Sequence, residues 1–263
     1  MPKLSIITIN LNNAEGLRKT IKSVVSQTFI DYEYIVIDGA STDDSVEVIK
    51  EFATNITFWV SEPDSGIYNA MNKGISNSIG EYCLFLNSGD IFSGEQSLNS
   101  FSVYLNENFD ILYGDIKVVN GGVELIKTYP ANLSFKYFIY DTLPHPASLI
   151  KRSLFLNIEN YDENLKICSD WIFFIKAICL HNCSYLHIEK VISTFYLDGI
   201  SSNSENQKLI TIEKLDALKK YFSAFYDDYK RLECLETFRQ KVLDSMIIRI
   251  IKRIGLLNRI KYD

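Results

Sequence analysis

Four short stretches of the chain carry the residue types that bond-making chemistry uses. Asp38-Gly39-Ala40-Ser41-Thr42-Asp43-Asp44-Ser45 sets a carboxylate at the end of an apolar run, placed to accept hydrogen bonds from a nucleobase or ribose. Ser41, Thr42 and Asp43 equally suit the cap of a following helix. Phe85-Leu86-Asn87-Ser88-Gly89-Asp90 ends an apolar run in a polar turn with one carboxylate. Asp90 suits a hard divalent cation, since Mg²⁺ takes one or two carboxylates together with substrate phosphates; an ordinary Asn/Gly turn explains the same residues without a metal. Residues 61–74 crowd Glu62, Asp64, Ser65, Asn69 and Lys73 ahead of and into a helical pattern. The positive N-terminal end of such a helix favours anions, and Lys73 either approaches a phosphate or is simply solvated. Cys168-Ser169-Asp170-Trp171 puts an acid just before an apolar helix, the place of an N-cap or, where it faces a site, of a general base.

Other chemistries find little support. No Gly-x-Gly-x-x-Gly follows the first apolar run and no Gly-Lys-Ser/Thr loop occurs, so nicotinamide-Rossmann and P-loop readings lose their main motif. A nucleotidyltransferase usually has a Gly-rich basic loop after its first strand, and Asn10-Leu11-Asn12-Asn13 offers none. Cys179, His181, Cys183 and His187 do not have the spacing of known structural zinc sites, and His181 points away from the face the two cysteines share. They read better as buried thiols.

The elements that must position these residues alternate. Strand-like runs are expected at residues 4–9, 34–37, 56–60 and 82–86, with helices at residues 13–27, 45–52 and 67–79. That alternation predicts an α/β fold with a mostly parallel sheet flanked by helices. In such sheets ligands bind beyond the carboxyl ends of the strands, which here are Asn10, Asp38, residues 62–64 and residues 87–90, all polar. Further on, a strand is expected at residues 110–114, a hairpin turn at Gly121-Gly122 and a loop at Pro144-His145-Pro146. A helix is expected at residues 171–178, short strands at 185–187 and 191–196, and helix from Glu205 to the end.

The chain has 263 residues, 27 basic against 33 acidic, for a net charge of −6. That length suits one large domain with an appendage, and the acidic balance argues against nucleic acid as a partner. The charge is uneven. From Arg239 onward seven basic residues face only Asp244 and Asp263, a local +5 that leaves −11 for the rest. Leu243, Met246, Ile247, Ile250, Ile251, Ile254 and Leu257 follow helical spacing, with Arg249, Lys252 and Arg253 off that stripe. Such a helix suits an anionic membrane surface; the alternatives are packing on the catalytic domain or on a homodimer partner. Five cysteines without framework spacing, the absence of a signal-like start and the lack of a membrane-spanning stretch lead to the expectation of a cytoplasmic chain, at the inner face of the plasma membrane.

Taken in order, the motifs resemble the family 2 glycosyltransferases, which have the nucleotide-sugar-binding GT-A fold. Leu4-Ser5-Ile6-Ile7-Thr8-Ile9-Asn10-Leu11-Asn12 is similar to that family's first strand, and residues 34–43 to its second, with Asp38 as the nucleobase aspartate. Residues 85–90 take the place of its DxD metal motif, and Ser169-Asp170 matches its catalytic-base motif. The resemblance implies a catalytic domain at residues 1–204, with a nucleotide-sugar half (1–115) and an acceptor half (116–204), and a helical extension at residues 205–263. It implies an inverting, metal-dependent transfer of a hexose or N-acetylhexosamine from a UDP-sugar to a glycan or lipid-linked acceptor, as in bacterial surface polysaccharide synthesis. Asp170 would be the base. Thr8, Asn10, Asp38, Asp64, Lys73, Asn87 and Ser88 would hold the nucleotide sugar, and Asp90, with His145 as a further contact, would hold Mg²⁺ or Mn²⁺. Many members carry two or three acids in the metal motif; here Asn87 and Gly89 leave only Asp90. A nucleotidyltransferase, or a non-catalytic nucleotide-sugar-binding component of an assembly complex, stands as the alternative.

Overall fold

A computed structural model describes residues 1–197 and 204–245. The first half alternates as expected: β1 (Leu4–Asn10), α1 (Ala14–Val25), β2 (Tyr32–Asp38), α2 (Ser45–Glu51), β3 (Phe58–Ser61), α3 (Ile67–Ser76) and β4 (Tyr82–Phe85). All seven residues of β1 and all four of β4 are buried; the unbroken apolar run of β4 requires a strand covered on both faces, and β1 buries Ser5, Thr8 and Asn10 among its apolar residues. Next come β5 (Ile91–Phe92), α4 (Asn99–Ser102), β6 (Ile111–Asn120), β7 (Val123–Lys127), α5 (Phe135–Tyr140), β8 (Ser148–Lys151), α6 (Arg152–Asn157), α7 (Ser169–Cys179), β9 (Tyr185–Tyr196), α8 (Gln207–Tyr221) and α9 (Tyr226–Asp244).

Among the described residues nine strands form one sheet, in the order β3-β2-β1-β4-β8-β6-β9-β5, with β7 added on β6. The β3-β2-β1-β4 half is wholly parallel; β8 then runs antiparallel to both β4 and β6, and β6 pairs β9 in parallel. Register matters for function. Asn10 lies opposite Asp38 and Asp38 opposite Ser61, so three polar strand ends finish on one line.

Three expectations needed correction in the second half. The strand foreseen at residues 110–114 runs on to Asn120, because β7 pairs it across the Gly121-Gly122 turn, whose two φ angles of 55° and 88° suit a two-residue hairpin. The two short strands expected at residues 185–187 and 191–196 are one strand, β9, and the irregularity between them is a register shift against Gly114 and Asp115 of β6. The C-terminal helix is broken. The chain leaves helical geometry at the buried Phe222 (φ −131°), passes through a 3₁₀ turn and restarts at Tyr226.

The chain divides into two units, one of residues 1–214 and one beginning at Leu215. No helix of the described residues is long and apolar enough to cross a membrane. Of the apolar stripe expected at the C-terminus only Leu243 is described; residues 246–263, with Arg249, Lys252 and Arg253, lie outside the described residues.

Candidate functional site

At the strand ends Asp38 is fully buried and accepts four hydrogen bonds, from Asn10 Nδ2 (2.7 Å), Ser41 Oγ (2.6 Å), Ser41 N (2.9 Å) and Ser61 Oγ (2.6 Å). Burial works against its charge, but the bonds from Ser41, Ser61 and Asn10 outweigh it and hold the pKa below the ordinary carboxylate value. Asp38 thus ties together the ends of three strands. Asp43 does similar work on the loop, accepting from Ala14 N, Ser45 N and Ser45 Oγ. Asp64 comes close beside them. A Cβ added to Gly39 would lie 2.5 Å from Asp64 Oδ2, so the glycine makes room for the acid, whose other oxygen accepts from Gly66 N (3.0 Å).

The turn after β4 is organised from α1. Thr20 Oγ1 donates to Asp90 O (2.7 Å) and accepts from Gly89 N (3.0 Å), while Asn13 Nδ2 donates to Ser88 O (3.2 Å). Asp90 N closes the turn on Asn87 O (2.9 Å). The side-chain oxygen of Asn87 is buried without a hydrogen-bond partner, as is that of Asn10. Buried acceptors are normally paired with protein or ordered water, so each of the two is open to an incoming donor or cation. No cluster of three or more His, Cys, Asp or Glu side chains suited to a metal occurs among the described residues. The donor set on this turn, one carboxylate and one amide oxygen, still fits a hard cation whose other positions are filled by phosphate oxygens and water.

Three sequence-predicted residues work behind the site. Thr8 is fully buried, its hydroxyl donating to Leu86 O (2.8 Å) and paired with Tyr34 Oη (3.0 Å). Lys73 is held by Glu62 (2.8 Å) and by Pro63 O (3.0 Å), so it braces the β3–α3 loop. His145 stacks on Phe85 with ring centroids 4.6 Å apart, and its Nε2 meets Tyr161 Oη at 2.8 Å. Burial pushes the His145 pKa down and the charge of Asp170 only partly opposes that, which favours a neutral core imidazole.

Asp170 stands in the first turn of α7, half-buried. Its Oδ1 accepts from Tyr68 Oη (2.9 Å), a residue of the first turn of α3. The N-cap residue of α7, Cys168, makes no side-chain cap bond. The turn that leads into α7 is held by Glu213 of α8, 7% exposed, whose carboxylate accepts from the backbone N–H groups of Lys166 (2.7 Å), Ile167 (3.1 Å) and the N-cap residue Cys168 (2.9 Å). Beside it Lys214 Nζ sits 4.7 Å from the ring centroid of Trp171. Burial pushes the Cys168 thiol up to about 12 and those of Cys179 and Cys183 up to about 11, the behaviour of packing thiols rather than reactive ones. Tyr68, Thr20 and Glu213 escaped the sequence reading. Tyr68 lay inside a quoted motif, but Glu213 caps backbone at least 45 residues away, which no local pattern reveals.

A parallel half-sheet with polar strand ends, joined to a second half that delivers an acid on a helix, defines a GT-A type nucleotide-sugar enzyme fold. Residues 5–176 match the family described as Glycosyl transferase family 2, and the chain belongs to that family. Among its relatives is an uncharacterised glycosyltransferase of Mycobacterium tuberculosis (strain CDC 1551 / Oshkosh), 33% identical over an alignment of 211 residues, with 78% of this chain and 79% of the relative covered. Among solved structures, Staphylococcus aureus TarS residues 1–349 in complex with UDP-GlcNAc superposes with a TM-score of 0.65 at 18% identity. The match covers 86% of this chain and 73% of that one, or 60% of it in another crystal structure of the same fragment. The mannosyltransferase PcManGT of Pyrobaculum calidifontis, in complex with GDP-Man and Mn²⁺, gives a TM-score of 0.60 at 14% identity, over 85% of this chain and 64% of that one.

Proposed function

We propose that the chain moves a hexose or N-acetylhexosamine from a UDP-sugar to a hydroxyl of a glycan or lipid-linked acceptor by one inverting displacement, in bacterial surface polysaccharide synthesis. The observation that carries the reading is the bond between Asp170 and Tyr68. It joins the acid of the second half to α3, the helix that begins just after the Asp64 loop among the strand ends. Asn10, Asp38 and Asp64 shape the uridine end, with the unpaired Asn10 oxygen suited to a base N–H. Asn87 and Ser88 face the diphosphate, and Thr8 and Lys73 brace this surface from behind. Asp170 takes the acceptor's proton as the acceptor oxygen bonds to C1 and the C1–O bond to the diphosphate breaks. Asp90 and Asn87 would hold Mg²⁺ or Mn²⁺, which when bound offsets the charge of the departing diphosphate. His145, engaged by Tyr161, is left out of that set. The basic C-terminal segment docks the enzyme on the inner face of the plasma membrane, where a lipid-linked acceptor sits.

Incubation with UDP- and GDP-sugars plus acceptor, reading free nucleoside diphosphate, tests this. UDP release is expected, and Asp170→Asn should slow it by about 10²–10⁴-fold with UDP binding unchanged. Full turnover by Asp170→Asn would overturn the base. Pyrophosphate release would point to a nucleotidyltransferase, and binding without release to a non-catalytic component.

A further inference from the structure

We propose that Tyr68 is a positioning residue that selects which oxygen of Asp170 takes the acceptor's proton, its hydroxyl holding Oδ1 and leaving Oδ2 to the substrate. The inference rests on the reading of Asp170 as the base. Tyr68 is 4% exposed, and its Oη lies 2.9 Å from Asp170 Oδ1 and within reach of the Ile167 carbonyl. Among the described residues no hydrogen bond engages Oδ2. The phenol therefore has one proton and two acceptors. While Asp170 is ionised, its charge makes Oδ1 the stronger acceptor. The Ile167 carbonyl, on the turn that Glu213 clamps, is the phenol's other acceptor, at 2.5 Å, and takes the proton when Asp170 does not.

In the reaction the acceptor O–H bond breaks and its proton bonds to Oδ2. The electron pair left on the acceptor oxygen forms the bond to C1 as the diphosphate leaves with its own pair. Tyr68 keeps its proton throughout. Burial, then the neighbouring Asp170, raise the phenol's pKa well above its ordinary value, so it remains a donor. The other titratable groups around Asp170 are His145 and Tyr161 from the segments before β8 and α7, Cys168 at the start of α7, and Glu213 and Lys214 on α8. Among the described residues only Tyr68 makes a hydrogen bond to its carboxylate.

The test compares wild type, Tyr68→Phe, a protein with 3-fluorotyrosine at position 68, and Asp170→Asn. In Tyr68→Phe, kcat should fall by about 10-fold or more with donor KM within about twofold. The acidic limb of its kcat–pH profile should move up, since a donor to the ionised carboxylate is gone. Fluorotyrosine, a stronger donor of nearly the same shape, should move that limb down, and it carries the test should Tyr68→Phe not fold. A purely packing role predicts no movement of the limb. An unmoved limb in the substituted proteins, with Asp170→Asn inactive, overturns the Tyr68 proposal alone. An active Asp170→Asn overturns the base reading and the Tyr68 proposal with it.

Discussion

Asp90 is the one carboxylate on the turn after β4, so the proposed metal site leans on it and on the unpaired oxygen of Asn87. Thr20 and Asn87 grip the backbone of residue 90, and both bonds are open to Asn as to Asp. The loss in Asp90→Asn is read on metal-assisted binding. Calorimetric titration of UDP with and without Mn²⁺ should show Mn²⁺ strengthening binding to wild type, and about 10–100-fold less of that gain in Asp90→Asn. An equal gain in both proteins would remove Asp90 from the site. At this scale the sequence showed which residue types gather at strand ends but not what each one does there. Asp38 read as a ligand-facing acid because it ends a strand. Two of its four bonds depend on Asn10 and Ser61 lying opposite it across the β1–β2 and β2–β3 registers, which no single stretch of sequence displays.

The helix bearing Asp170 was legible from its apolar run, and its cap was not. An acid just ahead of such a run suggests self-capping, yet the N-cap N–H of Cys168 and the two N–H groups before it are satisfied by Glu213 of α8. The match to the family ends at residue 176, so this cap comes from chain beyond it. Three donors, one buried and two partly so, share one carboxylate, and removing it leaves them without that acceptor. Glu213→Ala should lower stability by about 1–3 kcal/mol. Glu213→Gln, which retains one acceptor oxygen but brings a donor against the same N–H groups, should fall between the two. Urea unfolding measures both, and wild-type stability in Glu213→Ala would show the cap to be idle. The misread strands share a cause with the missed cap. β6 and β9 pair with each other across more than 70 residues, and β6 pairs also with β7; these pairings carry both strands through polar stretches that look like loops when read alone.

Across the whole molecule, charge and exposed apolar surface point to the C-terminal end. On α9, Leu235, Phe238 and Val242 recur at helical spacing and are 55%, 65% and 38% exposed. Beyond them the sequence continues with apolar residues interleaved with Arg249, Lys252, Arg253, Arg259 and Lys261. Near an anionic bilayer each such cation contributes about 1 kcal/mol, so several together give reversible docking. The −11 remainder of the chain limits attraction to that +5 end, and salt should weaken it, since exposed charges are screened over about 8–10 Å at physiological ionic strength. Co-sedimentation with phosphatidylserine-containing and with purely phosphatidylcholine vesicles separates the terms. The full chain should pellet with the anionic vesicles, far less with the zwitterionic ones, and return to the supernatant as salt rises. A chain ending at Ser245 should stay largely in the supernatant in every case. Equal pelleting of both chains would move the membrane contact elsewhere, and no pelleting of either, with sedimentation of the full chain at twice its monomer mass, would assign the apolar face to a second copy instead.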